Sequence, residues 1–178
     1  MTPRATRATP SPRARRSGRG AGGEGRIALR PLTVEDLPAV EAWWPEAAAT
    51  VQGFTTPADV TGLRDLITAS DQTLVIARKD DPAPIGLLAY VRPAKGWLEF
   101  RFLALAAGRR GWGYGSEAVQ VVEASGLAER FAADVHSANG LGLYFWLRMG
   151  YRPAAPAELT WREADPDDMI SLIRTAHA

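Results

Sequence analysis

The chain contains no cysteine and only two histidines among its 178 residues. The lack of cysteine excludes a disulfide framework, a thiolate metal site and a cysteine nucleophile. The histidines, His136 and His177, lie far apart in sequence, and the carboxylates follow no metal-ligand motif, so no metal site is predicted. No apolar run has the length of a membrane span, so we expect a cytoplasmic protein with no membrane partner.

Residues 1–25 have almost no large apolar side chains and differ in kind from the rest of the chain. They hold six arginines and one glutamate, a net charge of +5, whereas the whole chain carries +1. Such a segment cannot bury enough surface to offset its chain entropy, so we predict a disordered basic tail over 1–25 and one domain over 26–178. A nucleic-acid partner is disfavoured, because no aromatic residue in the tail would stack on bases.

The first part of the domain alternates between strand and helix patterns. Ile27–Arg30 is predicted as a strand, and Thr33 with Asp36 forms a capping box before a helix. A long aromatic loop is expected from Trp43 to Phe54, followed by a second helix that begins at Thr56-Pro57. Three predicted strands on short turns then form an antiparallel meander: Thr73–Lys79, Ile85–Val91 and Trp97–Leu105.

The second part returns to helices and strands in alternation. A helix is predicted to run to about Ser125, where Gly126 closes it. The remaining predicted elements are a short strand at Phe131–His136, a helix at Asn139–Met149, a strand that begins at Tyr151 and a terminal strand at Met169–Arg174.

The stretch Arg109–Ala118, RRGWGYGSEA, joins the last meander strand to a helix. The first N–H groups of a helix have no partner within it, and the helix dipole adds positive potential there. A phosphate or diphosphate is the natural ligand of such a loop, and Arg110 adds charge. A Walker loop is excluded, because no Lys-Ser/Thr pair follows the last glycine. Gly113-x-Gly115-x-x-Ala118 also fits a dinucleotide fingerprint, with Asp134 about 20 residues on, but the antiparallel meander before it argues against a doubly wound fold.

Two motifs together resemble the GNAT superfamily of acyl-CoA-dependent N-acetyltransferases. The segment Arg110–Gly115 matches its diphosphate signature, Arg/Gln-x-x-Gly-x-Gly/Ala, and the segment from Asn139 to Gly150-Tyr151 matches its second signature. The resemblance implies an α/β (α+β) fold with a mixed, mostly antiparallel central sheet, flanking helices and splayed central strands. It also implies acetyl-CoA as cosubstrate and an amine acceptor that attacks the thioester directly, without an acyl-enzyme.

The resemblance implies a set of cosubstrate-binding residues. Backbone groups of the last meander strand would pair with the pantetheine arm, the glycine loop would bind the diphosphate, and an asparagine would contact pantetheine. The residues are Leu103, Leu105, Arg110, Gly111, Trp112, Gly113, Tyr114, Gly115, Ser116, Asn139 and Trp146. Trp146 stands where the family has a tyrosine that protonates the leaving thiolate, and an indole N–H cannot act as that acid. Tyr144 would face elsewhere on the helix.

An attacking amine must lose a proton, and a carboxylate with a suitable pKa can accept it. Glu99 is the leading candidate base, since it lies on the strand that leads to the glycine loop, six residues before Leu105 and so on the same predicted face. Pairing with Arg101 is the structural alternative. Asp134 and His136, on one face of the partner strand, are the other candidates.

Three functions stay open at this point. The first is an N-acetyltransferase acting on a primary amine, either a small molecule or a peptide N-terminus. The second is a catalytically weak acyl-CoA-binding or sensing module, because the tyrosine is missing, and the third is a dinucleotide-binding oxidoreductase. The oligomeric state also stays open, with a homodimer as one possibility. The acceptor is expected to bind between the Trp43–Phe54 loop and the strand around Glu99.

Overall fold

The computed structural model describes residues 25–51, 59–162 and 168–176. Seven strands form one sheet in the order β1-β2-β3-β4-β5-β7-β6, and every neighbouring pair is antiparallel except β4 and β5. The strands are β1 (Ile27–Pro31), β2 (Gln72–Arg78), β3 (Asp81–Val91), β4 (Trp97–Leu105), β5 (Arg130–His136), β6 (Arg152–Pro153) and β7 (Met169–Thr175). The predicted mixed, mostly antiparallel sheet is confirmed.

Five α-helices flank this sheet within the described ranges. They are α1 (Leu37–Glu41), α2 (Trp44–Ala49), α3 (Val60–Thr68), α4 (Tyr114–Glu123) and α5 (Gly140–Arg148). The predicted capping box at Thr33 and Asp36 is present, and Arg30 holds the Asp36 carboxylate with two hydrogen bonds of 2.6 Å. No helix in the described part of the chain is long and apolar enough to cross a bilayer.

The loop predicted from Trp43 onward is wrong over its first half, where α2 forms. Pro45 lies in the first turn of α2, where its missing N–H costs nothing, and three alanines follow it. Trp44 is 1% exposed and packs edge-on against Phe102 of β4, with ring centroids 5.8 Å apart. The rest of the predicted loop and the helix start at Thr56-Pro57 lie outside the described residues, and the described α3 is capped by Asp59.

Strand β4 carries a β-bulge at Arg101. Phe102 pairs with Ala89 of β3 and Phe100 pairs with Tyr90, so Arg101 is an extra residue on β4. A bulge of one residue reverses the alternation of side chains along a strand. Before the bulge Phe100 packs in the core under α4 and α5, and after it Leu103 and Leu105 pack in that same core.

The bulge overturns one expectation about Glu99. Its spacing of six residues from Leu105 predicted a shared face, but the extra residue places the two side chains on opposite faces of the sheet. Leu105 packs towards α4, whereas Glu99 contacts Trp161 and Arg162 on the other face. On that second face Phe102 packs with the core of α1, α2 and α3.

Strands β4 and β5 separate after a short parallel pairing. Leu98 pairs with Phe131, and the last pair is Phe100 with Ala133. Beyond it β4 continues beside β3 alone, and β5 continues beside β7 through His136. The predicted splay is confirmed, and it leaves backbone groups on the facing edges of both strands without a strand partner among the described residues.

Candidate active site

The glycine loop lies at the end of β4 and leads into α4. Gly111 and Gly113 have φ values of 77° and 84°, a left-handed conformation that glycine adopts without steric cost. Gly113 is the N-cap of α4, and it has no side chain to satisfy the helix N–H groups. Within the described residues, the N–H groups from Gly111 to Ser116 donate to no protein acceptor. These free donors fit an anionic group such as a diphosphate.

Gly115 has a different role from the other two glycines. A Cβ atom there would lie 3.3 Å from Leu103 Cδ2, 3.6 Å from Leu105 Cδ1 and 3.7 Å from Phe145 Cε2. The first turn of α4 therefore lies directly on β4 and α5, and a side chain at Gly115 would push them apart. This packing sets the distance between the loop and the edge of β4.

Arg110 is held beside the separation of the strands. Its Nε donates to the Leu105 carbonyl at 3.1 Å, and its Nη1 donates to Thr50 Oγ1 at 2.9 Å. The arginine that the motif marked as a phosphate contact therefore ties the end of β4 to the end of α2. Trp112, between the two left-handed glycines, is 64% exposed.

Glu99 is buried among cations on the face of the sheet opposite α4. It is 3% exposed, its Oε2 lies 2.7 Å from Arg162 Nη2, and its Oε1 accepts from Arg101 Nη1 at 2.8 Å. The predicted pairing with Arg101 is therefore present. Desolvation alone would raise the pKa of Glu99, but hydrogen bonds and charge from Arg162 and Arg101 outweigh it and lower that pKa below its ordinary value.

Arg162 connects two carboxylates, and no sequence motif pointed to it. Its Nη2 lies 2.7 Å from Glu99 and 2.8 Å from Asp134, and its Nη1 donates to Asp134 and to Ser171 Oγ, both at 2.9 Å. Its side chain is 13% exposed. Desolvation would lower the pKa of Arg162, but the bonds to Asp134 and Glu99 raise it above its ordinary value, so the guanidinium stays charged.

The two other candidate bases lie near this cluster on β5. Asp134 pairs with Arg162 and accepts from Ser171 Oγ at 2.8 Å, so the structure brings it together with Glu99. His136 ends β5, and its Nδ1 accepts from the Ala138 N–H at 3.1 Å. Strand alternation places both on the predicted common face.

The second motif forms α5. Asn139 is its N-cap, with the side-chain oxygen accepting from the Gly142 N–H at 2.9 Å. Trp146 is 7% exposed and lies in an aromatic cluster, with its ring centroid 5.3 Å from that of Phe100 and 4.8 Å from that of Tyr151. Tyr144 is 59% exposed, so it faces away from Trp146 as predicted.

Arg26 is a further cation at the glycine loop that sequence reasoning missed. A Cβ atom on Gly113 would lie 3.2 Å from Arg26 Nη2. No motif includes Arg26, since it precedes β1 and reaches α4 only because β1 lies beneath that helix in the sheet. By contrast, a cavity of about 430 Å³ near Trp97 and Arg130 lies at the opposite end of β4 and includes neither the glycine loop nor Glu99.

Comparison with known proteins agrees with this geometry. Residues 26–140, more than half of the chain, match the family model described as "Acetyltransferase (GNAT) domain". The chain belongs to the GNAT acetyltransferase family, whose membership implies acyl-CoA-dependent acetyl transfer. No curated protein gave a significant match by sequence.

Solved structures share the fold at low identity. An acetyltransferase from Thermus thermophilus is 20% identical, with a TM-score of 0.63 over 84% of this chain and 97% of that one. A GNAT family acetyltransferase from Elizabethkingia anophelis with acetyl-CoA bound is 14% identical, with a TM-score of 0.59 over 85% and 99%. Spermidine N-acetyltransferase from Vibrio cholerae, in complex with CoA and spermine, is 12% identical, with a TM-score of 0.59 over 85% and 96%.

The dinucleotide fingerprint is therefore a coincidence of spacing. A doubly wound fold requires a largely parallel sheet, and here β4 and β5 form the single parallel pair among the described strands. Asp134, which the fingerprint assigned to a ribose, binds Arg162 instead.

Proposed function

We propose that the protein is an N-acetyltransferase that moves the acetyl group of acetyl-CoA to a primary amine by direct attack. The observation that carries the proposal is the separation of β4 from β5. The two strands separate beside the free N–H donors of the glycine loop, and the Glu99 carboxylate lies on the other face of β4.

The cosubstrate fits this arrangement in two parts. Free N–H groups from Gly111 to Ser116 would bind the diphosphate, and the unpaired edge of β4 near Leu103 would bind the amides of the pantetheine arm. The Leu105 carbonyl already accepts from Arg110, so Leu105 contributes mainly by packing against α4. Asn139 and Trp146 would support the arm from α5. The Elizabethkingia relative with acetyl-CoA and the Vibrio relative with CoA support this choice of cosubstrate.

In the proposed reaction, the acceptor ammonium first gives a proton to Glu99, directly or through water, and the resulting neutral amine attacks the thioester carbon to form a tetrahedral intermediate. The carbon–sulfur bond then breaks to release the CoA thiolate, and the second proton of the nitrogen passes to solvent or to the thiolate. No acyl-enzyme is needed, in keeping with a chain that lacks cysteine. The acceptor is a small-molecule amine or a peptide N-terminus.

Glu99 must exchange one partner to act as a base. A depressed pKa makes a carboxylate a weaker proton acceptor. Arg101 is 44% exposed, so turning it away from Oε1 costs little, whereas Arg162 is buried on Oε2. An acceptor ammonium that replaces Arg101 would lie at hydrogen-bonding distance from the carboxylate, and once it has given its proton to Glu99 no cation would remain on Oε1.

Departure of the thiolate does not need Trp146. Its ring is packed in the core with Phe100 and Tyr151, and an indole cannot donate a proton as an acid near neutral pH. A thiol has an ordinary pKa of about 8.5, so its anion is a good leaving group that solvent can protonate afterwards.

A catalytically weak acyl-CoA-binding module is the second candidate. The double pairing of Glu99 with Arg101 and Arg162 favours it, as does the tryptophan in place of the family's tyrosine. Thiol release from acetyl-CoA over a panel of primary amines separates the two, because a binding module would bind acetyl-CoA without accelerating release. Thermal shift with acetyl-CoA, CoA and NAD tests the cosubstrate itself.

Glu99→Gln tests the base. The substitution keeps the shape but removes the proton acceptor, so turnover near pH 7 should fall by ~10²–10⁴-fold while acetyl-CoA affinity barely changes. Raising the pH should partly restore the variant, since free amine becomes abundant. Wild-type turnover across pH in Glu99→Gln would refute the assignment and move it to Asp134 or His136.

A further inference from the structure

Arg26 is anchored on the first turn of α4 by a carboxylate. Its Nε donates to Glu117 Oε2 at 3.2 Å, and the neighbouring Ile27 N–H donates to Glu117 Oε1 at 3.1 Å. The guanidinium carbon lies 5.1 Å from the centroid of the Tyr114 ring, a cation–π distance. Two contacts therefore hold the long Arg26 side chain beside the glycine loop, and the Ile27 N–H holds the carboxylate that one of them uses.

The outer half of the same guanidinium faces the loop. Nη2 lies 3.2 Å from the position that a Cβ atom on Gly113 would occupy, and the side chain is 56% exposed. Neither Nη group of Arg26 has an acceptor in the part of the chain that the structure describes. Arginine binds phosphate oxygens with two parallel N–H groups, so this free end has the geometry that phosphate recognition uses.

Glu117 would otherwise oppose an anion at this place. It lies in the first turn of α4, close to the N–H groups that would bind a diphosphate, and its side chain is 17% exposed. Arg26 and the Ile27 N–H occupy both of its oxygens and cancel its charge. Arg110, the cation that the motif supplies, uses Nε and Nη1 on Leu105 and Thr50, so only its Nη2 has no acceptor among the described residues.

We propose that Arg26 is a phosphate-binding residue of the acetyl-CoA site, donating from its Nη groups to the diphosphate while Nε holds Glu117. The proposal rests on the proposed function, because it assumes that the glycine loop binds the diphosphate. It assigns acetyl-CoA binding to a residue outside both family motifs.

Isothermal titration of acetyl-CoA into the full chain tests the proposal. Hydrogen bonds to charged groups are worth enough that Arg26→Gln should weaken binding by about 10- to 100-fold, with Arg26→Lys intermediate because it keeps charge without the forked donor. Arg92→Gln is the matched control: its side chain is 59% exposed and pairs with Asp71, so one equally exposed cation is lost at another site. Equal affinity in Arg26→Gln and Arg92→Gln would overturn the proposal.

Two further measurements separate a phosphate contact from a structural role. S-acetylpantetheine lacks the diphosphate, so kcat/KM with this donor should be unchanged in Arg26→Gln while kcat/KM with acetyl-CoA falls. An equal fall with both donors would mean that Arg26 only supports the fold. Full recovery of acetyl-CoA affinity in the double variant Arg26→Gln/Glu117→Gln would mean that Arg26 only neutralises Glu117, which also overturns direct donation.

Failure of this inference is distinguishable from failure of the proposed function. If the wild-type chain does not bind acetyl-CoA, the glycine loop is not its site and the proposed function is wrong. If the wild type binds acetyl-CoA and Arg26→Gln binds it equally well, the proposed function stands and only the role of Arg26 is lost.

Discussion

Replacing Arg162 by methionine tests whether the buried charge cluster of Glu99, Asp134 and Arg162 stabilises the fold. Methionine keeps much of the length and packing of arginine but removes its charge and donors. The substitution breaks the contacts of 2.7 Å to Glu99 and 2.8 Å to Asp134, and the hydrogen bond of 2.9 Å to Ser171. It leaves two carboxylates near each other, one of them with a side chain only 4% exposed.

The expected cost follows from burial. Removing one partner of a buried ion pair typically costs about 3–5 kcal/mol, because the remaining charge is left desolvated and unpaired. Native domains are stable by about 5–15 kcal/mol in total, so a large share of the free energy of unfolding would be lost. For a domain of this size, the midpoint of thermal unfolding should fall by roughly 6–20 °C.

The pH dependence has a definite sign. In the wild type, Arg162 and Arg101 outweigh the desolvation of Glu99 and lower the pKa of its carboxyl group. The ionised Glu99 therefore stabilises the native state at pH values above the unfolded pKa, and this stabilisation is lost as the pH falls through the folded pKa. Without Arg162, only Arg101 opposes the effect of burial, so the pKa of Glu99 should rise from its wild-type position. The deficit relative to wild type should then be largest at about pH 8 and shrink towards about pH 5, as the native carboxyl takes up a proton.

Calorimetric unfolding at several pH values measures both effects. Arg152→Met is the control, because Arg152 forms a two-bond pair with Glu158 but is 61% exposed, and exposed pairs contribute little. Adding Glu99→Gln to Arg162→Met should recover part of the lost stability, since the buried negative charge beside Asp134, which Arg101 alone would still pair, disappears. Equal losses in the two arginine variants, or a deficit that does not vary with pH, would refute the reasoning.

Three further predictions concern the cosubstrate side. Gly113→Val should abolish acetyl-CoA binding in calorimetry, because the new side chain would block the loop and displace Arg26. Gly126→Val is the control for left-handed backbone strain, since Gly126 has a φ of 74° and a Cβ atom there would have no neighbour within 4 Å. Unchanged affinity in a folded Gly113→Val variant would contradict the placement of the diphosphate at the glycine loop. Deleting residues 1–24 should leave acetyl-CoA affinity intact, because Arg26 and β1 remain, and a large loss would make the tail part of the site. Trp146→Tyr should lower the unfolding temperature without raising turnover, since its ring fills a core beside Phe100; faster thiol release would show that the missing hydroxyl limits the reaction.

Much of the fold was predictable because local patterns and tertiary structure agree. The meander and the helix after the glycine loop each have a clear hydrophobic period and a turn or glycine that ends it, whereas the terminal strand at Met169 was favoured only by its β-branched residues. The splayed strands were implied by the family resemblance, and the glycine loop was marked by its own sequence, Arg109–Ala118. The helix α2 was missed because Trp43-Trp44 suggested an aromatic loop, although Pro45 and the alanines after it favour a helix.

The parts of the candidate site that escaped prediction depend on contacts distant in sequence. Arg162 reaches Glu99 across 63 positions by numbering, and Arg26 reaches Glu117 across 91. Neither residue lies in a motif, and each becomes part of the site only through strand order. The bulge at Arg101 escaped for another reason: no glycine or proline marks it, so counting residues from Glu99 to Leu105 gave the wrong face.

The bulge explains how a single strand can serve both halves of the proposed reaction. Without an extra residue, Glu99, Leu103 and Leu105 would all lie on one face, and the carboxylate would point into the core beneath α4. With Arg101 inserted, Leu103 and Leu105 pack on Gly115 and set the distance between the glycine loop and β4. Glu99 lies on the opposite face of the sheet, where Arg162 binds it. The same bulge lies where β4 leaves β5, next to the edge that the pantetheine arm would use. The residue that the bulge adds, Arg101, is the exposed cation on Glu99. The same bulge therefore sets the face on which Glu99 lies and supplies the group that, in the proposed reaction, an acceptor ammonium would replace.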